Sequence, residues 1–275
     1  RIGFVYDVFG DATHKVFGSY GRYYDTIKTY MAVHSYAGFK WKSAYYGLND
    51  YRWDQWGAAP PAGNPLLLVL DWRIPSFEST DPDLRPVNQD EFSGGVEKML
   101  MENVSLTVRF VYKHLRHMIE DVGVFVPGVG EQYFEANPGF GYTLHVGNGT
   151  GKMDAKYPET PKAKRDYYAV NISLDKRMAN NWMAGFSYTW SRLQGNCSGL
   201  ASADEFGRLA PYVERMFDNW AMAVTKDLSY LDGPLPTDRT HFFKFYGAYT
   251  FPFRLTVCTV INAMSGSPFT ETWSI

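Results

Sequence analysis

The sequence has little cysteine, no excess of either charge and no long apolar run. Two cysteines, Cys197 and Cys258, are too few for a disulfide-rich scaffold or a cysteine-rich zinc site. The 27 Lys and Arg side chains are balanced by 29 Asp and Glu side chains, so no cationic excess exists to neutralise nucleic-acid phosphates. The most apolar run, 66–70, is five residues long, whereas a membrane-spanning helix needs about 20. The composition therefore excludes a helical membrane anchor and disfavours nucleic acid as a partner.

The sequence is rich instead in aromatic residues, which make up 17% of its 275 residues, and in period-two alternation. Between 181 and 192, apolar residues alternate with small ones, which is typical of a strand whose two faces meet different environments. The apolar positions are Trp182, Ala184, Phe186, Tyr188 and Trp190, and the alternate positions are Met183, Gly185, Ser187, Thr189 and Ser191. This segment is predicted to pair in a hairpin with 168–174, through a short polar turn at 175–180.

The same alternation recurs along the chain and predicts about eight strands in four hairpins. Turns inside the hairpins take about two to six residues, but the connections 25–88, 123–162 and 195–237 contain 64, 40 and 43 residues. Short turns at one end and long loops at the other are typical of an outer-membrane barrel. The pattern thus predicts an all-β fold, an antiparallel transmembrane β-barrel with long extracellular loops. A soluble β-sandwich, which alternates in the same way, remains the alternative.

A series of short motifs resembles the TonB-dependent outer-membrane receptors, and within them the Oar-like branch, whose members carry a carboxypeptidase-regulatory-like domain. The longest motifs are Gly18-Ser-Tyr-Gly-Arg-Tyr-Tyr-Asp25, Thr80-Asp-Pro-Asp-Leu-Arg-Pro86 and Gly233-Pro-Leu-Pro-Thr-Asp-Arg-Thr-His241. Shorter ones lie at 71–75, 90–97, 119–123, 136–141, 163–167, 174–177, 187–192, 198–202 and 265–270. No single motif is diagnostic, but their order and spacing extend along nearly the whole chain.

The resemblance implies a barrel of about 22 strands in the outer membrane of a Gram-negative bacterium. All of 1–275 is expected to be an interior part of that barrel, since the chain opens with Arg1 inside one strand-like segment. The plug, the N-terminal regulatory-like domain and the final strands have no counterpart in it. The family implies energised movement of a bulky, unidentified solute. The implied partners are outer-membrane lipid, the protein's own plug and the TonB–ExbB–ExbD complex.

The first long connection carries the strongest candidate for ligand contact. Eleven of the 34 residues from 23 to 56 are aromatic, and rigid aromatic faces stack on sugars, peptides or planar groups at low entropic cost. The candidate ligand-binding residues are Trp41, Tyr45, Tyr46, Trp53 and Trp56. The alternative is that these side chains pack the loop against its neighbours.

Two cations on the polar face of one predicted strand, Arg109 and Lys113, form the second candidate. Burial of these charges is tolerable only in a polar, water-filled or plugged lumen. We therefore expect them to face the lumen, where they would either contact the plug or line the path of the solute. Plug contact is the simpler of the two.

Motifs of enzymes and metal proteins are missing from the sequence. His114 and His117 are three residues apart on a predicted strand, so they point to opposite faces and cannot share an ion. No Gly-x-Ser-x-Gly elbow occurs, and 127–131 lacks the Lys-Ser/Thr of a phosphate loop. We predict no catalytic residue, no metal site and no cofactor. The functional prediction is an outer-membrane receptor or transporter, with a soluble glycan-binding module and a passive or adhesive barrel as alternatives.

Overall fold

The computed structural model describes residues 1–25, 42–47, 65–71, 73, 79–126, 130–144, 160–198, 217 and 232–269. Its strands are β1 (Ile2–Asp7), β2 (His14–Tyr24), β3 (Lys42–Tyr46), β4 (Leu66–Asp71), β5 (Ser79–Thr80), β6 (Asn88–Met101), β7 (Val104–His117), β8 (Glu120–Val126), β9 (Gly130–Ala136), β10 (Arg165–Ala179), β11 (Trp182–Gly195), β12 (Gly233–Pro234), β13 (His241–Thr250) and β14 (Thr256–Met264). A single turn of 3-10 helix occupies Gly141–Leu144. None of the helices in the described part of the chain is long and apolar enough to cross a membrane.

Eight long strands form one antiparallel sheet in the order β1-β2-β6-β7-β10-β11-β13-β14, with the short β12 beside β11. The four predicted hairpins are present as β1–β2, β6–β7, β10–β11 and β13–β14. The longest of these strands contain 14 or 15 residues, which exceeds the 9–11 that cross a bilayer. In the described residues the sheet is open, with β1 and β14 at its two edges.

The strand register sorts the side chains of this sheet into two faces. One, which we call the apolar face, includes Phe110, Ile172, Phe186 and Phe245, all large and exposed. The other, the polar face, includes hydroxyl, amide and charged side chains that alternate with them along the same strands. Because nothing covers the apolar side chains in the described residues, they do not form the core of a folded sandwich. Their exposure fits a sheet that meets lipid on this side.

The turn between β10 and β11 is tighter than the sequence indicated. The predicted turn at 175–180 is wrong, since β10 continues to Ala179 and only Asn180 and Asn181 connect the strands. Both asparagines have positive φ, 54° and 65°. These values match a two-residue type I′ turn, whose twist suits a hairpin and which asparagine tolerates better than most residues. The charged residues 175–177 resemble a solvent-exposed turn in the sequence. In the structure they continue the strand, and the carboxylate of Asp175 accepts a hydrogen bond from the Tyr246 hydroxyl.

The connection predicted at 123–162 contains β9 and the end of β8. These two strands form a further hairpin, which pairs Glu120 with Ala136 and continues to Val126 and Gly130. Thr80 of β5 lies at the edge of this small sheet and donates its hydroxyl to Glu135 at 3.1 Å. The sequence of this hairpin mixes valine and glycine with acids, so its alternation is too weak to be read from one sequence.

A compact core lies beyond the ends of the long strands, on the side of the long connections. Its buried members are Leu115, Met118, Val122, Ala136, Ala163, Cys197 and Phe217. The amide of Asn137 holds two backbone segments beside it: it donates to the carbonyls of Arg85 and Met118 at 2.9 and 2.7 Å. It also accepts the backbone N–H of Arg85 at 2.7 Å. The loop end of the sheet is therefore a packed structure of its own.

The chain divides into two compact units, Arg1–Asp25 with Thr80–Ile275, and Thr26–Ser79. Within the second unit, β3 and β4 form an antiparallel pair in which Lys42 is opposite Asp71. Asp71 accepts hydrogen bonds from Arg73 Nε and Nη2 at 2.7 and 2.6 Å. These bonds hold the pKa of Asp71 well below its usual range, with a further contribution from Lys42.

Candidate functional site

An open groove of about 850 Å³ runs across the polar face, between β1, β2, β6, β7 and β10. Its lining residues include Lys15, Phe17, Glu97, Arg109, Asn171 and Ser173. The groove combines charge, hydroxyl and amide groups with an aromatic ring, so it can hydrogen-bond a polar solute or a polar protein surface.

Arg109 lies in this groove and is held by an arrangement that extends over three strands. Phe17 of β2 is opposite Gly95 of β6, which is in turn opposite Arg109 of β7. The Phe17 ring extends over the glycine, where a Cβ would approach ring Cζ to 2.7 Å. It thereby reaches the guanidinium, whose Cζ is 5.3 Å from the ring centroid. A side chain at Gly95 would also collide with the carbonyl oxygen of Val108, so only glycine leaves this space open.

The same arrangement occurs a second time on the polar face. Asp175 of β10, Gly185 of β11 and Tyr246 of β13 are cross-strand neighbours. The Tyr246 ring covers Gly185, whose missing Cβ would collide with it, and its hydroxyl donates to Asp175 Oδ1 at 2.7 Å. Covering a strand glycine with a neighbouring aromatic ring compensates for the lost side-chain packing. In both cases the ring also contacts a charged group on the polar face.

Charges on the polar face differ in whether they have a partner. Lys113 lies 3.0 Å from Glu91, directly across the β6–β7 pair, and Lys15 lies 3.7 Å from Glu97 across β2–β6. Within the described residues, Arg109 has no carboxylate partner, and its guanidinium lies over the Phe17 ring. Arg109 therefore has capacity for a new anionic contact, whereas the ammonium of Lys113 already has a carboxylate partner.

Hydroxyl and amide groups lie on the same face as these charges and form a polar strip. Asn171 donates to Ser187 Oγ at 2.8 Å and to Thr189 Oγ1 at 2.9 Å, which links β10 to β11. Ser19 and Ser93 share a hydrogen bond of 2.7 Å between β2 and β6. Each hydroxyl retains lone pairs that can accept a further bond. The strip can thus exchange partners with water or a passing polar molecule.

The apolar face has a row of aromatic rings towards one strand end and Trp182 towards the other. On the side of the long connections, Tyr20, Phe92, Tyr112 and Tyr168 stack across β2, β6, β7 and β10, with ring centroids 4.7, 6.3 and 4.8 Å apart. On the side of the short turns, Trp182 lies under the ammonium of Lys176, which is 3.9 Å from the ring centroid. Aromatic rings at both limits of an apolar band are typical of strands that cross a membrane, because their amphipathic rings favour the interface.

The predicted site residues fall into two groups in the structure. Arg109 and Lys113 both lie on the polar face of β7. Tyr45 and Tyr46 are exposed residues of β3, whereas Trp41, Trp53 and Trp56 lie outside the described residues. The two groups belong to different units of the chain, and the role of each stays a prediction.

Sequence reasoning did not single out Phe17, Asn171 or Lys244 as site residues. All three lie on the polar face, in β2, β10 and β13. The alternation that places Arg109 on this face also places Lys244 there, so the signal was present. The position of Phe17 could not be predicted in the same way. An aromatic ring on the polar face is explained only by the cross-strand neighbour Gly95, which the ring covers. Within the described residues, no group of three metal-binding side chains lies together.

Comparison with known proteins agrees with this architecture. The family model described as "outer membrane beta barrel domain" matches residues 1–266. The TonB-dependent transporter Oar of Myxococcus xanthus is 28% identical over 288 residues, which cover 97% of this chain and 24% of that protein. The alcaligin outer membrane receptor FauA of Bordetella pertussis superposes with a TM-score of 0.41 and 11% identity, over 96% of this chain and 28% of that one. The chain therefore spans about a quarter of the length of each.

These findings decide between the structural alternatives. The family match covers nearly the whole chain, and the apolar face is exposed where a sandwich would bury it. The soluble glycan-binding sandwich is therefore wrong, and the predicted barrel architecture and outer-membrane location are confirmed. The chain belongs to the outer membrane β-barrel domain family, and its place is the outer membrane of a Gram-negative bacterium.

Proposed function

We propose that this chain forms part of the lumen wall of an outer-membrane transporter that moves a bulky solute. All of 1–275 belongs to the barrel in this proposal, and the plug, the regulatory-like domain and the closing strands lie in other parts of the protein. The observation that carries the proposal is the groove on the polar face, with Arg109 free of any carboxylate partner among the described residues. A charged and hydroxylated face opposite a lipid-facing one is what a polar lumen requires.

Energy coupling through the TonB–ExbB–ExbD complex is part of the proposal. It is supported by the 28% identity to a protein named as a TonB-dependent transporter, over 97% of this chain. The direction of movement and the identity of the solute do not follow from the residues described above. No enzyme activity, catalytic residue or cofactor is proposed.

Arg109 is proposed to contact an acidic group of the plug that fills the lumen. A lone guanidinium at mid-sheet has five N–H donors and no carboxylate to receive them, so a carboxylate from outside this chain would satisfy it. Lys113 is proposed to have a weaker role of the same kind, because Glu91 already lies 3.0 Å from its ammonium. The rival role, lining the path of the solute, uses the same exposed guanidinium.

The aromatic residues of the second unit are proposed to contact the solute. The exposed rings of Tyr45 and Tyr46 support this, since recognition residues concentrate on connections outside a rigid scaffold. Trp41, Trp53 and Trp56 belong to the same proposal on the strength of the sequence alone. Packing within the unit is the alternative role for all five.

Transport is tested on the full-length protein in its native cells. Medium components are compared by mass spectrometry after growth of wild-type cells, cells that lack this protein, and cells depleted of TonB. The proposal expects at least one solute that persists in the medium of both deficient strains. A solute whose uptake requires this protein but not TonB would contradict energy coupling and favour the passive barrel.

The plug contact is tested with Arg109→Gln. Lys113→Gln, four residues away on the same face of the same strand, is the matched variant. Loss of an exposed ion pair is expected to change the equilibrium between the plug-bound and plug-free states of this contact by up to about fivefold. Arg109→Gln should raise the entry of a bulky antibiotic that the intact outer membrane excludes, and Lys113→Gln should raise it less. Unchanged entry combined with lower solute uptake would instead place Arg109 on the solute path.

A further inference from the structure

A row of charged side chains lies on the apolar face, immediately beyond the aromatic row on the side of the long connections. Arg22, Asp90, His114 and Asp166 are successive cross-strand neighbours on β2, β6, β7 and β10. Each lies two residues along its strand from a member of the aromatic row, a step of about 7 Å. The charged row therefore begins where the apolar band ends.

The acids and bases of this row are exposed to very different extents. In the four contacts Arg22–Asp90, Arg116–Asp90, His114–Asp166 and Arg192–Asp238, the acidic side chains are 3–9% exposed and the basic ones 38–49%. The pairs on the polar face do not share this asymmetry, since Lys15 and Glu97 are 35% and 42% exposed. The carboxylates thus lie beneath the surface, and the basic side chains form its outer layer.

Two arginines share one carboxylate at the centre of this layer. Arg22 donates to Asp90 through Nε at 2.7 Å and Nη2 at 3.0 Å, while Arg116 donates through Nη1 at 3.0 Å. Tyr20 donates its hydroxyl to the same carboxylate at 3.1 Å. One carboxylate neutralises one guanidinium, so the triad retains a net positive charge and unused N–H donors.

The buried acids and the tyrosines hold this layer in place. Tyr112 donates to Asp166 at 3.1 Å, and His114 Nδ1 lies 2.7 Å from the same oxygen. At the far end, Asp238 accepts the backbone N–H of Leu193 at 2.7 Å and lies 3.6 Å from Arg192 Nη1. The tyrosines of the aromatic row thus hold the acids, and the acids hold the basic side chains. Less side-chain conformational entropy is therefore lost when a ligand binds.

We propose that four basic side chains in and next to this row form a binding site for phosphate-bearing headgroups of outer-leaflet lipid. Arg22 and His114 belong to the row, Arg116 lies two residues beyond His114 on β7, and Arg192 of β11 is opposite Tyr168 of the aromatic row. Short hairpin turns lie on the periplasmic side of such barrels and long loops on the outside, so the row is level with the outer leaflet. From β2 to β11 it spans about 19 Å, at about 4.8 Å per strand, which is wide enough for more than one headgroup. Guanidinium groups match the geometry of phosphate oxygens.

The site differs from the groove of the proposed function, because it lies on the opposite face of the sheet. It depends on the outer-membrane location alone and does not require that anything be transported. Its continuity with the lipid-facing band favours a membrane lipid over a soluble anion or an acidic protein.

The site is tested with full-length protein purified in an uncharged detergent and stripped of lipid. Native mass spectrometry then measures retention of lipid A with its phosphates, of lipid A from which the phosphates have been removed, and of the phosphorylated form in the presence of inorganic phosphate. Arg116→Gln and Arg192→Gln are the test variants, because Asp90 keeps Arg22 and Tyr20, and Asp238 keeps the Leu193 N–H. Arg177→Gln, an exposed arginine at the turn end of β10, is the control.

Each test variant is expected to lower retention of phosphorylated lipid A about fivefold, the double variant about 25-fold, and the control not at all. Wild-type protein should prefer phosphorylated to dephosphorylated lipid A and should not lose it to an equal concentration of inorganic phosphate. Equal retention of both lipids, displacement by inorganic phosphate, or test variants that behave like the control would overturn the proposal. So would an acidic protein bound in place of lipid. A gel-mobility shift on boiling verifies that every variant is folded.

Discussion

Adjacent residues of β10 provide a direct test of which face meets lipid. Ile172 lies on the apolar face with its side chain 38% exposed, and Ser173 lies on the polar face in the groove. Ile172 is four residues from Tyr168 of the aromatic row and four from Lys176 at the other limit of the band. The segments from Ile172 to Tyr168 and from Ile172 to Lys176 are each about 13 Å long. Ile172 therefore lies close to the middle of the membrane.

Replacing Ile172 by arginine therefore introduces a charge near the bilayer midplane. The expected cost is about 2–4 kcal/mol in the free energy of unfolding, which corresponds to a change of about 30- to 700-fold in the folding equilibrium. Ser173→Arg places the same side chain in a polar lumen, where the cost is expected to be within about 0.5 kcal/mol.

Both variants of the full-length protein are refolded into phospholipid vesicles and unfolded with guanidinium chloride, and the folded fraction is measured from the shift in gel mobility on boiling. Ile172→Arg should show the lower midpoint and the smaller folded yield. If Ser173→Arg were as destabilising as Ile172→Arg, or more so, the assignment of lumen and lipid faces would be refuted.

Three further predictions concern the packing of the chain. Gly95→Ala should destabilise the barrel by about 1–3 kcal/mol, because the new methyl group has no space beside β7. Gly94→Ala is the control: its Cβ would meet only one backbone oxygen, at 3.5 Å, so it should be close to neutral in the same vesicle assay. Asn137→Ala removes the amide that holds two backbone segments and should cost about 1–3 kcal/mol, seen as faster proteolysis at the loop end while the membrane-embedded strands stay protected. The pKa of Asp71 is lowered by Arg73, so this carboxylate stabilises β3–β4 above a pH of about 4 and ceases to do so as the pH falls through its folded pKa. An NMR titration of labelled Asp should show the lowered pKa of Asp71. Arg73→Gln should return that pKa towards its ordinary value.

The four hairpins could be predicted because period-two alternation is a local property of the chain. The order of large and small residues in 182–191 follows from which face each side chain occupies, and it needs no information about neighbouring strands. Boundaries were less predictable, since 175–179 reads as a polar turn until Asp175 is paired with Tyr246, 71 residues further on. The β8–β9 hairpin was missed for a related reason: its strands are stabilised by the core around Val122 and Ala136, not by their own alternation.

The sequence by itself determined the fold class, the family and the two-faced character of each long strand, because composition and periodicity are carried by consecutive residues. Only the tertiary structure decided which charges have partners. Lys113 and Arg109 are equivalent in the sequence, but cross-strand register puts Glu91 opposite one and Gly95 opposite the other. It likewise decided that Asp90 and Asp166 lie beneath Arg22, Arg116 and His114. Register joins residues that are far apart in the chain, and a single sequence does not contain it.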